Sequence, residues 1–119
     1  MRILTKNNTD SERTTVNKLL CNRRVPTLVG TPGNNTLTGT SGRDVIHGLS
    51  GHDTIRGRGG NDVLCGGEGN DTLFGREGED KLFGENGVDA LDGGSGTDIC
   101  NGGSGTDTGT HCETETSIP

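Results

Sequence analysis

The chain has 119 residues, enough for one domain, but only 24% are apolar, with two Phe and no Trp or Tyr. Leu, Ile, Val and Phe together make about 19%, near the level at which a chain stays disordered, so an ordinary apolar core is excluded and a metal is the usual substitute. The net charge of −6 is uneven: residues 1–24 hold six Lys/Arg against Asp10 and Glu12, and residues 25–119 hold five against fifteen Asp/Glu. Such an acidic body repels phosphate and offers no stacking platform, which argues against nucleic acid and for hard cations as partners.

Residues 1–24 form an N-terminal segment with no clear period, read either as disordered or as a cap folding over one end of the acidic body. The segment is basic but lacks the apolar run of a secretory signal. "KLLC" has the shape of a lipoprotein cleavage box, but Leu20 is not small and no apolar run precedes it. No stretch of the chain resembles a membrane span.

From Gly30 the sequence cuts into nine uninterrupted nonapeptides ending at Thr110: GTPGNNTLT, GTSGRDVIH, GLSGHDTIR, GRGGNDVLC, GGEGNDTLF, GREGEDKLF, GENGVDALD, GGSGTDICN and GGSGTDTGT. Glycine fills positions one and four of every frame. Position six is Asn35 and then Asp in eight frames, and position eight is Leu or Ile in the first seven frames, then Cys100 and Gly109. Glycines at one and four let a loop take up positive φ and bring carbonyls close to an ion. Calcium accepts six to eight hard oxygens at about 2.3–2.6 Å, from carboxylates and carbonyls alike. Position eight supplies one core side chain per frame. Immediately before the array, Thr27, Leu28 and Val29 fall on positions seven to nine of a frame without a loop and read as the capping strand that a solenoid needs.

This frame resembles the hemolysin-type calcium-binding nonapeptide, or RTX repeat, G-G-x-G-x-D-x-U-x with U large and apolar. The resemblance covers about two-thirds of the chain. It implies an all-β fold, a right-handed parallel β-roll of about five turns, in which the first six residues of a frame form a calcium-binding turn and the last three a short strand. One departure is clear, because the second glycine is present only at Gly67, Gly94 and Gly103. Residues such as Leu49, Arg58 and Arg76 are expected to be tolerated there if their side chains point outward.

Frames of one parity then stack about 4.8 Å apart. Asp44, Asp62, Asp80 and Asp98 form three adjacent pairs, and Asn35, Asp53, Asp71, Asp89 and Asp107 form four, for up to seven calcium ions. The Asn35–Asp53 pair lacks one charge and should be weakest. Backbone carbonyls complete each site, those of Gly48, Gly57, Gly66, Gly75, Gly84 and Gly93 at position one, and of Gly42, Gly51, Gly60, Gly69, Gly78, Gly87 and Gly96 at position four. The core is expected to comprise Leu28, Leu37, Ile46, Ile55, Leu64, Leu73, Leu82 and Leu91.

Outside faces carry weaker signals. Val45, Val63, Phe83 and Ile99 fall on an apolar stripe, read either as plain strand propensity or as a docking face for the N-terminal segment or a partner. On the other side Thr36, Thr54, Thr72 and Thr108 align, but Ala90 interrupts them. Position nine there reads Thr38, Arg56, Phe74, Asp92, Thr110, too irregular for an ice-binding array.

Residues 111–119 form a C-terminal cap or tail. Cys100 is inward and Cys112 lies where a tenth frame would cover the eighth, so a Cys100–Cys112 disulfide closes that end. Cys65 and Cys100 are two turns apart, beyond the roughly 7 Å limit for a bridge, and Cys65 pairs with Cys21 only if the N-terminal segment folds back. A zinc site is the alternative, but there is no C-x-x-C and His111 is the only adjacent imidazole. Four cysteines in a short acidic chain favour an oxidising, extracellular setting.

No H-E-x-x-H, G-x-S-x-G or G-x-x-x-x-G-K-[ST] motif is present, and His47, His52 and His111 are isolated in sequence. The expectation is therefore a non-catalytic, secreted bacterial calcium-binding module with a structural, adhesive or sequestering role. The alternative is the calcium-folded C-terminal portion of a larger secreted protease, lipase, epimerase or toxin. Met1 and the two capped ends favour the first reading, and the lack of a visible export signal favours the second.

Overall fold

The computed structural model describes residues 20–116. They contain eleven short strands and no helix: β1 Leu28–Val29, β2 Thr36–Thr38, β3 Val45–His47, β4 Thr54–Arg56, β5 Val63–Cys65, β6 Thr72–Phe74, β7 Lys81–Phe83, β8 Ala90–Asp92, β9 Ile99–Asn101, β10 Thr108–Thr110 and β11 Thr114–Thr116. Odd-numbered strands form a six-stranded sheet in the order β1-β3-β5-β7-β9-β11, and even-numbered strands a five-stranded sheet in the order β10-β8-β6-β4-β2. All pairings are parallel. The chain therefore crosses from one sheet to the other at each loop, in a β-solenoid of about five turns.

The register follows from the repeat. Leu64 pairs with Ile46 on one side and Leu82 on the other, and Leu73 with Ile55 and Leu91, each step being two nonapeptides. Because alternate residues of a strand face opposite ways, the middle residue of each three-residue strand points between the sheets. Ile46, Ile55, Leu64, Leu73, Leu82, Leu91 and Cys100 form one continuous buried core, with Leu28, Leu37 and Cys112 packed at its ends. The ladder continues beyond the strands: from Val63 to Thr108, the amide of each residue after a loop aspartate reaches an aspartate carbonyl one turn away, as in Thr72 N–H to Asp53 O at 2.9 Å.

Both ends depart from the repeat. At the N-terminal end Cys21 and Arg24 exchange backbone hydrogen bonds of 3.0 and 2.9 Å across Asn22 and Arg23, whose φ angles of 50° and 64° are those of a two-residue hairpin turn. This turn brings Cys21 over the outside of the larger sheet, where it bonds to Cys65 with Cα atoms 5.6 Å apart. Cys21, Val45, Val63 and Cys65 form a second buried cluster with Phe83 packed against it, while Ile99 stays exposed. The apolar stripe is thus not one open surface.

At the C-terminal end Cys100 and Cys112 are bonded, with Cα atoms 5.9 Å apart. The register here differs from the expected tenth frame. Thr114 pairs with Ile99 and Glu115 with Cys100, an offset of fifteen residues instead of eighteen. The last loop is three residues short, so the final strand begins at Thr114, three residues earlier than a full tenth frame would place it. With all four cysteines in disulfides, the zinc alternative has no thiolates left to use.

Candidate metal centres along the loop columns

Each loop begins at a position-one glycine and ends at the position-six aspartate. The aspartates of one column are linked by a repeated hydrogen bond: the N–H of each donates to Oδ1 of the aspartate one turn on. The pairs are Asp44 to Asp62, Asp53 to Asp71, Asp62 to Asp80, Asp71 to Asp89, Asp80 to Asp98 and Asp89 to Asp107, at 2.7–2.8 Å. Asn35 N–H donates likewise to Asp53 Oδ1 at 2.7 Å. All eight aspartates are buried and Asn35 is half-buried.

The second carboxylate oxygen is treated differently along the roll. Oδ2 of Asp53, Asp62, Asp71, Asp80, Asp89, Asp98 and Asp107 is buried with no hydrogen-bond partner. A buried oxygen without a partner costs about 1–3 kcal/mol, more if it is charged. In the second frame, by contrast, Asp44 Oδ2 accepts the Thr40 amide at 2.8 Å and the Thr40 hydroxyl at 3.2 Å. In the first, Asn35 Oδ1 accepts the Thr31 amide at 2.7 Å. Threonine at position two therefore satisfies its own loop.

Position two also has a conformational signature. From the third frame onward its residue lies in the left-handed region, at Leu49, Arg58, Gly67, Arg76, Glu85, Gly94 and Gly103, with φ of 68–85°. Thr31 and Thr40 are not among the positive-φ residues. The glycine of the repeat is thus a requirement of backbone shape, and four of these seven positions carry a side chain at a cost of order 1–3 kcal/mol each. Arg58 and Arg76 point to solvent as expected, but Leu49 and Glu85 are half-buried. Glu85 Oε2 lies 3.8 Å from Nε2 of the buried His47. Burial pushes the Glu85 carboxyl up and the His47 imidazole down, so both are biased to their neutral forms.

The position-one glycines explain where Oδ2 points. A Cβ built on Gly48 would stand 2.6 Å from Asp53 Oδ2 and 2.8 Å from the carbonyl oxygen of Gly66. On Gly75 the same two contacts are 2.7 Å to Asp80 Oδ2 and 2.8 Å to Gly93 O, and on Gly84 they are 2.5 Å to Asp89 Oδ2 and 2.8 Å to Gly102 O. A carboxylate oxygen and the carbonyl of the next turn thus flank one spot that only glycine leaves open. Position-four carbonyls form a separate column: those of Gly51, Gly60, Gly69, Gly78 and Gly87 each lie 2.1–2.3 Å from where the next glycine of that column would carry a Cβ.

Electrostatics sharpen the picture. Without a cation, burial pushes the Asp71 carboxyl up to about 8 and those of Asp62, Asp80 and Asp89 to about 7. Carboxylates one turn away add to the rise, and the backbone hydrogen bonds only partly counter it. Asp53 and Asp98 are raised by burial as well. Among the described residues no three His, Cys, Asp or Glu side chains converge on one point. One carboxylate per turn, supplemented by backbone oxygens, suits a hard cation better than zinc.

Two features escaped the sequence reading. Glu113 Oε1 accepts the Asp98 amide at 2.7 Å, replacing the aspartate that the shortened last loop lacks. Gly102 supplies a carbonyl beside Asp89 although it was not among the carbonyls expected to bind. Neither has a motif of its own. The threonines of the first two frames were visible as departures from glycine, but only the structure shows what they bond to.

Stacked parallel strands joined by glycine–aspartate loops define a β-solenoid with a column of acidic loops along each side. The chain belongs to the family of RTX calcium-binding nonapeptide repeats, whose four-copy model matches in overlapping placements at residues 29–64, 38–73, 58–91, 66–100 and 74–108. No curated protein and no solved structure gives a significant match. The chain is accordingly a calcium-binding repeat module. No helix among the described residues is long and apolar enough to cross a membrane.

Proposed function

We propose that this is a secreted, non-catalytic structural module that folds on binding calcium and holds up to seven ions. The observation that carries the reading is the run of seven consecutive frames, Asp53 to Asp107, whose buried Oδ2 lacks any partner. The donors fit the ion: carboxylate and carbonyl oxygens are hard ligands, and their loops are glycine-shaped. The liganding carboxylates are those of Asp53, Asp62, Asp71, Asp80, Asp89, Asp98 and Asp107, with carbonyls of the position-one glycines beside them. Asn35 and Asp44 contribute at the N-terminal end. Their threonine partners make these first two loops the least dependent on metal. Two disulfides support an oxidising, extracellular location.

The metal also supplies what the sequence lacks for folding. One aliphatic side chain per nine residues is a small return on ordering nine backbones, and stacked buried carboxylates repel one another. Calcium binds only the assembled turns, so its binding free energy becomes folding free energy. Far-ultraviolet circular dichroism tests this with disulfides reduced throughout: β-structure should be small in chelator and rise cooperatively towards about 10 mM calcium, above the range of extracellular modules. Equal β-content in both conditions would overturn the mechanism.

A further inference from the structure

The outer face of the five-stranded sheet carries a basic patch on an otherwise acidic molecule. The roll has five Lys/Arg residues in all, and three of them, Arg56, Arg58 and Arg76, line one groove of about 490 Å³. Arg76 also lines a second groove of about 470 Å³, together with Phe74. The guanidinium carbons of Arg56 and Arg76 stand 5.7 and 5.6 Å from the centre of the Phe74 ring, within range of a cation–π attraction that orders both side chains. None of the three arginines makes an ion pair among the described residues. Of the nearby acids, Asp92 is already held by His111 Nδ1 at 3.0 Å, which leaves Glu77 at the edge of the first groove.

We infer that this Arg56–Arg58–Arg76 surface around Phe74 binds an acidic polysaccharide, and that it does so on the calcium-loaded roll. Guanidinium forks match carboxylate and sulfate groups in a bidentate way. The hydroxyls of Thr38, Ser41 and Ser95 on the groove walls suit a ligand that carries hydroxyl groups as well as charge. Two open grooves that share Arg76 fit a linear chain better than a compact ligand. Nucleic acid is the poorer match, since the chain has no Trp or Tyr for base stacking. The calcium dependence rests on the proposed function. Metal-free, the net charge of −6 repels a polyanion, whereas each ion adds two positive charges and three ions cancel that excess.

The test is retention of the full chain on immobilised heparin and polygalacturonate, with dextran as neutral control, in calcium and in EDTA. Retention on the acidic resins alone, in calcium alone, is expected. The R56A/R58A/R76A variant should bind about tenfold more weakly, or worse, from the loss of three charged contacts. The charge-matched R24A/R43A/K81A variant should be retained like the parent. Equal loss in both variants would reduce the effect to net charge and overturn the site. Equal retention on DNA or on anionic phosphatidylserine vesicles would overturn the choice of polysaccharide, and retention unchanged by EDTA would overturn the calcium dependence. Circular dichroism of the same samples separates the two ideas. Calcium-induced folding without retention defeats this inference alone, and retention without calcium-induced folding defeats the proposed function.

Discussion

Gly66→Ala isolates the cation cradle from every other role of glycine. Gly66 does not lie at positive φ, so alanine is compatible with its backbone. The added Cβ would stand 2.5 Å from Asp71 Oδ2 and 2.9 Å from the Asp71 Cβ and Cγ. Real Cβ atoms do not tolerate such distances, so the Asp71 carboxylate must move out of the loop or the turns must part, at a cost of about 1–3 kcal/mol. Calcium binding adds to the loss, because the same methyl occupies the space that the oxygen faces. Gly42→Ala is the matched control, since its nearest neighbour would be Thr40 Oγ1 at 3.7 Å, and it should be neutral within about 0.5 kcal/mol. Isothermal titration calorimetry should find at least one ion fewer for Gly66→Ala, and dichroism a higher calcium midpoint. A Gly66→Ala protein with the stoichiometry and midpoint of the parent would refute the assignment of Asp71 Oδ2 to a cation.

Two further outcomes come from the stacking. Asp71 lies mid-column, bonded through Oδ1 to Asp53 and through its amide to Asp89, and in the proposed stacking would serve two sites; Asp71→Ala should raise the calcium midpoint more than Asp107→Ala, which would serve one, and equal effects in a calcium titration would contradict the scheme. In metal-free protein the raised carboxyls, about 8 at Asp71 and about 7 at Asp62, Asp80 and Asp89, mean that the folded state binds more protons than the unfolded one between about pH 4 and pH 8. Folding without calcium should therefore be favoured as pH falls from about 8 to about 5, and lost as it rises, while the calcium needed for folding increases in acid; a metal-free dichroism signal that shrinks on acidification would reverse the sign and refute it.

Much of the fold was legible because a strict nine-residue period leaves little freedom. Once Leu64 is inward, the period puts Leu82 and Ile46 inward as well, and strand pairing at two-frame spacing follows. The columns of aspartates were legible for the same reason. What the period could not convey lies where it lapses. The fifteen-residue offset of β11 comes from a last loop three residues short, which no periodic residue announces. The bond from Glu113 to Asp98 follows from that offset, not from any motif. The return of Cys21 to Cys65 depends on a two-residue turn at Asn22 and Arg23, local geometry with no periodic signal. The left-handed backbone at Leu49, Arg58, Arg76 and Glu85 was hidden because the residue types there argue against it. Only the glycines at the equivalent positions 67, 94 and 103 hinted at the requirement.

The first two loops and the rest of the roll meet the same problem by different means. Every loop presents an acceptor oxygen inside a turn, and burial without a partner is costly. In the first two frames Thr31 and Thr40 provide amide and hydroxyl donors from within the loop, and the disulfide from Cys21 to Cys65 fastens the turns above. At the far end the Glu113 carboxylate accepts the Asp98 amide beside the disulfide from Cys100 to Cys112, but Oδ2 of Asp98 and of Asp107 still has no partner. From Asp53 to Asp107 the oxygens face spaces that no protein donor enters, and position two adopts the left-handed backbone that keeps its amide from filling them. A threonine could have satisfied each of these loops as it does the first two. The interior frames instead accept backbone strain and leave the oxygen free, a combination that lowers stability unless a cation occupies the loop. Each disulfide thus ties a terminal segment to a strand inside the roll, Cys21 to β5 and Cys112 to β9, and on the proposed function dependence on calcium belongs to the frames from Asp53 to Asp107.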